Sequence, residues 1–80
     1  MEAKIKVYGS HTCVDTLRSR RFLREHKIPF IWVDVDEDEE GLNLIKSVNN
    51  GRRTTPTIFL EDGSVLFEPS DKELAARLGL

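Results

Sequence analysis

Apolar and polar positions alternate at the start of the chain. Ile5 and Val7 are separated by Lys6, and residues 4–8 read as a first strand with Ile5 and Val7 on one face. Gly9 and Ser10 open a loop. Thr16, Ser19, Phe22, Leu23 and His26 then recur at helical spacing and predict a helix from about Cys13 to His26, with Pro29 marking its exit. Phe30-Ile31-Trp32-Val33-Asp34-Val35 is nearly continuously apolar, the pattern of a central or parallel strand buried on both faces. Trp32 reads as a packing residue of that strand. Leu42, Ile45 and Val48 give the inner stripe of a second helix, which Asn49-Asn50-Gly51 stops. Asp62-Gly63 is a hairpin signal between Thr57-Ile58-Phe59-Leu60 and Val65-Leu66-Phe67. Ser70 and Glu73 have capping-box spacing before a last helix whose inner face is Leu74, Ala75 and Leu78 and which Gly79 ends.

The predicted order is β-α-β-α-β-β-α. A strand–helix–strand opening makes a right-handed parallel crossover, and the hairpin adds two antiparallel strands. The expected class is α/β: a four-stranded mixed sheet flanked by three helices, the thioredoxin-type arrangement.

Composition narrows the range of functions. Eighty residues suit one small domain, residues 1–80, without repeats or linkers. A net charge of −2 gives no general attraction to nucleic acid. No apolar run approaches the roughly 20 residues of a membrane span, and Met1-Glu2-Ala3-Lys4 lacks the apolar region of a signal peptide. One cysteine and no export signal suggest the reducing cytoplasm. The expected protein is a monomer without a nucleic-acid or membrane partner.

Two charged stretches have simple readings. Arg18, Arg20, Arg21 and Arg24 form a solvated helix face paired with Glu25 and other acids. Asp36-Glu37-Asp38-Glu39-Glu40 starts the second helix, where acids are favoured, with Asp36 and Glu39 at capping-box spacing. The run has no EF-hand glycine pattern, so no metal is expected.

The chemistry centres on Ser10-His11-Thr12-Cys13-Val14-Asp15-Thr16. Cys13, the single cysteine, falls where a strand hands over to a helix N-terminus. Free N–H groups and the positive end of the helix dipole stabilise a thiolate there, and the thiolate is the nucleophile. His11 reads as a loop residue acting through space rather than as a general base. Thr16 has two readings of equal weight: a hydroxyl given to the sulfur, or a small buried residue on the helix's inner face. His26 is expected to pack near the helix exit.

These features coincide with others. Thr54-Thr55-Pro56 precedes the third strand, Asp62-Gly63-Ser64 forms the hairpin, and Glu68-Pro69-Ser70-Asp71 enters the last helix. Together the chain resembles the glutaredoxin family over nearly its whole length. The stretch from Val48 to Thr57, with Glu68-Pro69-Ser70, looks most like the actinobacterial mycoredoxin-type branch. The resemblance implies that Cys13 is the nucleophile within the motif His11, Thr12, Val14, Asp15 and Thr16. It implies a cis-proline loop at Thr55-Pro56 whose backbone pairs with a small thiol's peptide portion. It places Arg53 near that thiol's carboxylate, and Ser70 and Asp71 at the helix entry that receives its γ-glutamyl end. Three positions depart from the family pattern. Thr16 replaces the second cysteine, which removes the intramolecular disulfide. Asp15 replaces an aromatic residue, which puts a negative charge beside the thiolate and is expected to oppose its formation. Ser10 replaces a basic residue.

The resulting expectation is a monothiol oxidoreductase that reduces mixed disulfides between proteins and a low-molecular-weight thiol. Glutathione or mycothiol would be the co-substrate, thiolated proteins the partners, and no cofactor tightly bound. Two other classes stand beside it. An iron–sulfur carrier would need two chains and two small thiols to supply four thiolates, and the usual Gly-Phe-Ser after the cysteine is Val14-Asp15-Thr16 here. A redox-inactive binding module on the same fold would follow if Asp15 silenced the thiol.

Overall fold

The computed structural model describes residues 4–80. Met1, Glu2 and Ala3, on which the N-terminal reading rests, lie outside the described residues. The elements follow the expected order: β1 (Ile5–Gly9), α1 (Val14–Glu25), β2 (Phe30–Asp34), α2 (Glu39–Val48), β3 (Thr57–Phe59), β4 (Val65–Phe67) and α3 (Asp71–Leu78). The four strands make one mixed sheet in the order β2-β1-β3-β4. β1 runs parallel to β2, with Ile5 opposite Phe30 and Gly9 opposite Asp34. It runs antiparallel to β3, with Tyr8 opposite Thr57, and β3 pairs antiparallel with β4.

Side chains alternate across a strand, so the sheet has two apolar faces. Val7 and Ile58 look toward α1 and α3 and pack with Phe22, Leu23 and Leu74. Tyr8 looks the other way and packs with Val35 and Ile45 under α2. Tyr8 and Phe59 meet edge to face with centroids 5.2 Å apart. Three layers result, with α1 and α3 on one face and α2 on the other.

Several local readings agree with the structure. Ser70 and Glu73 form a complete capping box, and Gly79 ends α3 in the left-handed conformation. Gly63 has a φ of 89° in the hairpin turn, a conformation that favours glycine. Asn50 and Gly51 carry positive φ after α2, and the Gly51 N–H closes onto the Lys46 carbonyl. His26 lies against Phe22 with ring centroids 4.3 Å apart, while remaining exposed.

Three expectations need correction. β2 is an edge strand, not a central one. Its apolar run reflects parallel pairing with β1 on one side only; Ile31 is exposed, and Arg20 lies over the Trp32 ring at 4.0 Å. Asp38, not Asp36, caps α2, accepting from the Gly41 N–H at 3.0 Å. This start shifts the helix's inner stripe, so that Gly41 and Ile45 are buried and Val48 is exposed. Gly41 has a close-packing role: a Cβ there would lie 2.8 Å from Val33 Cγ1. Finally, the α1 arginines do not pair with Glu25 among the described residues. Arg18 pairs with Asp15 and Asp71, and Arg20 stacks on Trp32.

Among the described residues no helix is long and apolar enough to cross a membrane.

Candidate functional site

The chain leaves β1 through α1 toward β2 on one side, then returns through α2 to β3 on the other. Open α/β sheets bind ligands beyond the strand ends at such a switch point. The strand register brings the motif loop after Gly9, the Asp34–Asp36 segment after β2 and the Thr55-Pro56 loop before β3 to that one end. Glu68 joins them, its N–H bonded to the Pro56 carbonyl at 2.9 Å, and leads directly to Ser70 at the start of α3.

Cys13 is the N-cap of α1, with extended backbone and no side-chain cap hydrogen bond. Its carbonyl accepts the Leu17 N–H at 3.0 Å, so the helix begins at the thiol. The side chain is half-buried. Sγ lies 3.6 Å from the Thr55 carbonyl oxygen, to which the protonated thiol donates. The Thr55–Pro56 peptide is cis, as the resemblance implies, and Pro56 is fully buried.

Burial pushes the Cys13 thiol up. The hydroxyls of Thr55 and Thr16 and the N–H groups of Thr16 and Asp15 outweigh it, so its pKa lies below the ordinary thiol value. Thr16 is fully buried on the inner face of α1, its hydroxyl accepts the Ser10 N–H at 3.4 Å, and it is among the groups that hold the thiol's pKa down. Gly9 makes room for it, since a Cβ there would approach Thr16 Cγ2 to 2.5 Å.

Asp15 has a cation partner. Its carboxylate turns to Arg18, with Oδ1 2.9 Å from Nη1, while its backbone N–H supports the thiolate. Arg18 also reaches α3, with Nε 3.7 Å from Asp71 Oδ1 and Nη2 donating to the Pro69 carbonyl at 3.4 Å. One arginine thus ties the start of α1 to the start of α3. Ser70 uses its hydroxyl to cap α3, accepting the Glu73 N–H at 3.1 Å.

His11 turns to β2, where Nδ1 lies 2.8 Å from Asp34 Oδ2 and 3.5 Å from Asp36 Oδ2. Ser10 Oγ donates to Asp36 Oδ2, contacts Thr12 Oγ1 at 3.0 Å and accepts the Thr12 N–H at 3.3 Å. Asp36 also accepts from Arg53 through its other oxygen. Val14 is exposed beside the thiol. All the sequence-derived candidates, Arg53, Thr55, Pro56, Ser70 and Asp71 included, thus border one end of the sheet.

Asp34, Asp36 and Arg18 were missed as site residues. Nothing in the local pattern marks them as site residues: Asp34 closes an apolar strand, Asp36 opens the acidic run before α2, and Arg18 is one of four arginines on α1. One donor atom from each of His11, Asp34 and Asp36 lies within 4.8 Å of the others. Arg53 and Ser10 both bond to Asp36.

Comparison with known proteins supplies the family. The glutaredoxin family profile matches residues 5–65. A glutaredoxin-type protein of Mycobacterium tuberculosis is 34% identical over 76 residues, which is 95% of this chain and 90% of that protein. Mycoredoxin 1 of Corynebacterium glutamicum is 41% identical over 46 residues, 58% of each chain. Among solved structures, the methanoredoxin of Methanosarcina acetivorans superposes with a TM-score of 0.79 at 32% identity, covering 98% of this chain and 86% of that one. The chain belongs to the glutaredoxin family, thiol oxidoreductases built on the thioredoxin fold.

Proposed function

We propose that the protein is a monothiol oxidoreductase that reduces mixed disulfides between proteins and a low-molecular-weight thiol, with Cys13 as its nucleophile. The observation that carries this reading is the single cysteine at the N-cap of α1, half-buried and facing the Thr55–Pro56 loop, with its thiolate favoured by surrounding hydroxyl and N–H groups. Glutathione and mycothiol are the candidate co-substrates; mycothiol enters through the likeness to mycoredoxin 1. Arg53, Thr55, Pro56, Ser70 and Asp71 would border the small-thiol groove. The unpaired cysteine supports a cytoplasmic location, and the protein would act as a monomer with no tightly bound cofactor.

The reaction balances with one protein thiol. The Cys13 thiolate attacks the small-thiol sulfur of a protein mixed disulfide. A Cys13–small-thiol disulfide forms, the original S–S bond breaks, and the target protein leaves as a thiolate that takes a proton from water. A second small-thiol thiolate then attacks the small-thiol sulfur on Cys13. The products are the symmetrical small-thiol disulfide and free Cys13 thiolate. Thr16 in place of a second cysteine means that no internal thiol competes for the adduct.

A low pKa has its main effect in the second step. A lowered pKa raises the thiolate fraction at neutral pH. It also lowers the nucleophilicity of each thiolate, with a Brønsted slope of about 0.4–0.5, so the gain in attack is partly offset. In the second step Cys13 becomes the better leaving group. The test is turnover of a peptide mixed disulfide with glutathione or mycothiol as reductant. Turnover with either supports the reading, and turnover with neither contradicts it.

A further inference from the structure

The cations tied to the motif are already engaged by the protein's own carboxylates. Arg53 bonds to Asp36. Arg18 lies between Asp15 and Asp71. His11 lies against Asp34 and Asp36. Four carboxylates thus meet two permanent cations and one histidine. Asp36 is the best-placed of them, because Ser10 Oγ donates to Oδ2 while Arg53 holds Oδ1. Ser10 is buried and its carbonyl accepts the Cys13 N–H at 3.1 Å, so Asp36 is anchored to the loop that carries the thiol. A carboxylate fixed on one side leaves its arginine less available to a ligand carboxylate arriving from solvent.

We propose that Asp36 is a specificity-determining residue: it occupies the Arg53 guanidinium and removes the advantage of small thiols that carry a carboxylate at that end. The small thiol favoured by this geometry is uncharged where it meets Arg53. Any carboxylate placed there shares the Arg53 guanidinium with Asp36, whose Oδ1 holds Nη2, and approaches Asp36 and Asp34 as it does so, which like-charge repulsion opposes. Asp36 acts through Arg53 and not on the reacting sulfurs, so its effect belongs in KM and in the choice between substrates.

The inference rests on the oxidoreductase reading, and one experiment separates the two. The substrates are mixed disulfides of one reporter peptide with glutathione and with its glycyl monoethyl ester, which differ by a single carboxylate. Wild-type protein is expected to give KM values for the pair within about twofold of one another. Asp36→Asn is expected to lower the glutathione KM about three- to fivefold relative to the ester, the effect of freeing one partly exposed ion pair. Asp36→Glu keeps the wild-type ratio, and adding Arg53→Gln to Asp36→Asn cancels the gain. A wild-type preference for the acid above about fivefold overturns the proposal without recourse to any variant. So does an Asp36→Asn ratio equal to wild type, or an acid preference that Arg52→Ala removes. Turnover with any of these outcomes leaves the oxidoreductase reading in place. Absence of turnover on both substrates removes that reading and this inference together.

Discussion

Arg18 Nη1 lies 2.9 Å from Asp15 Oδ1, so the carboxylate two positions after Cys13 is paired with a cation one turn further along the helix. The same guanidinium approaches Asp71 at the start of α3. Asp15 alone would be an unfavourable neighbour for a thiolate. With Arg18 in place, the pair presents little net charge to the sulfur, and the backbone N–H of Asp15 is what remains in the thiolate's favour.

That pairing gives opposite shifts for the two partners. A lone carboxylate about 7 Å from the sulfur would cost about 0.6 kcal/mol at the dielectric of bulk water, or about half a pKa unit. Arg18→Gln should therefore move the Cys13 alkylation profile upward by about half a unit. Asp15→Asn should move it downward by a similar amount, because it leaves the Arg18 guanidinium uncompensated. Iodoacetamide rates across pH measure both. A downward move of a full unit in Asp15→Asn would show that the carboxylate's field reaches the sulfur uncompensated.

Thr16 is the second handle on the thiol. Thr16→Val keeps the buried volume and removes the hydroxyl that serves both Sγ and the Ser10 N–H. The alkylation profile should move to higher pH, and stability should fall by about 1–3 kcal/mol as a buried N–H loses its acceptor. The sign of the linkage follows from the depressed pKa. The wild-type thiolate contributes stability above the unfolded thiol's pKa, and that contribution is lost as pH falls through the folded value. Thr16→Val narrows this window. Denaturant melts above and below neutrality, read beside alkylation rates, check it; an unmoved alkylation profile would reduce Thr16 to a packing residue.

Ser70 is committed to its helix through the capping box. Ser70→Ala should cost about 1 kcal/mol of stability, whereas Ser70→Asp, which retains a cap acceptor, should cost little. Chemical denaturation of the two variants makes the comparison. A small thiol that needed the hydroxyl itself would bind both variants poorly, whatever their stability.

The features legible in the sequence were those whose cause is local. Cys13 at a strand–helix junction, Asp62-Gly63 between two apolar runs and the Ser70/Glu73 box each follow from a few neighbouring residues, and the element order follows from them. The cis peptide at Pro56 came through the family resemblance and not through residue chemistry. What the sequence did not disclose depends on how the strand ends converge. Continuous apolarity could not separate a central strand from an edge strand, so β2 was placed too deep. A run of acids offers several caps for α2; Asp38 takes the role, while Asp36 bonds to Ser10 and Arg53. Likewise, no local spacing brings Arg18 to Asp71 or His11 to Asp34; the register of β1 with β2 and the position of α3 do so.

The central claim is that one thiol, Cys13, carries the chemistry, and trapping the adduct tests it most directly. The protein is mixed with a peptide–small-thiol disulfide and quenched with acid, and its intact mass is measured. The account predicts one small-thiol addition per chain on wild-type protein, cleared by a second equivalent of the same thiol. It predicts no addition and no turnover for a folded Cys13→Ser variant. Turnover close to wild type in Cys13→Ser, or a wild-type adduct carrying the peptide in place of the small thiol, would contradict it.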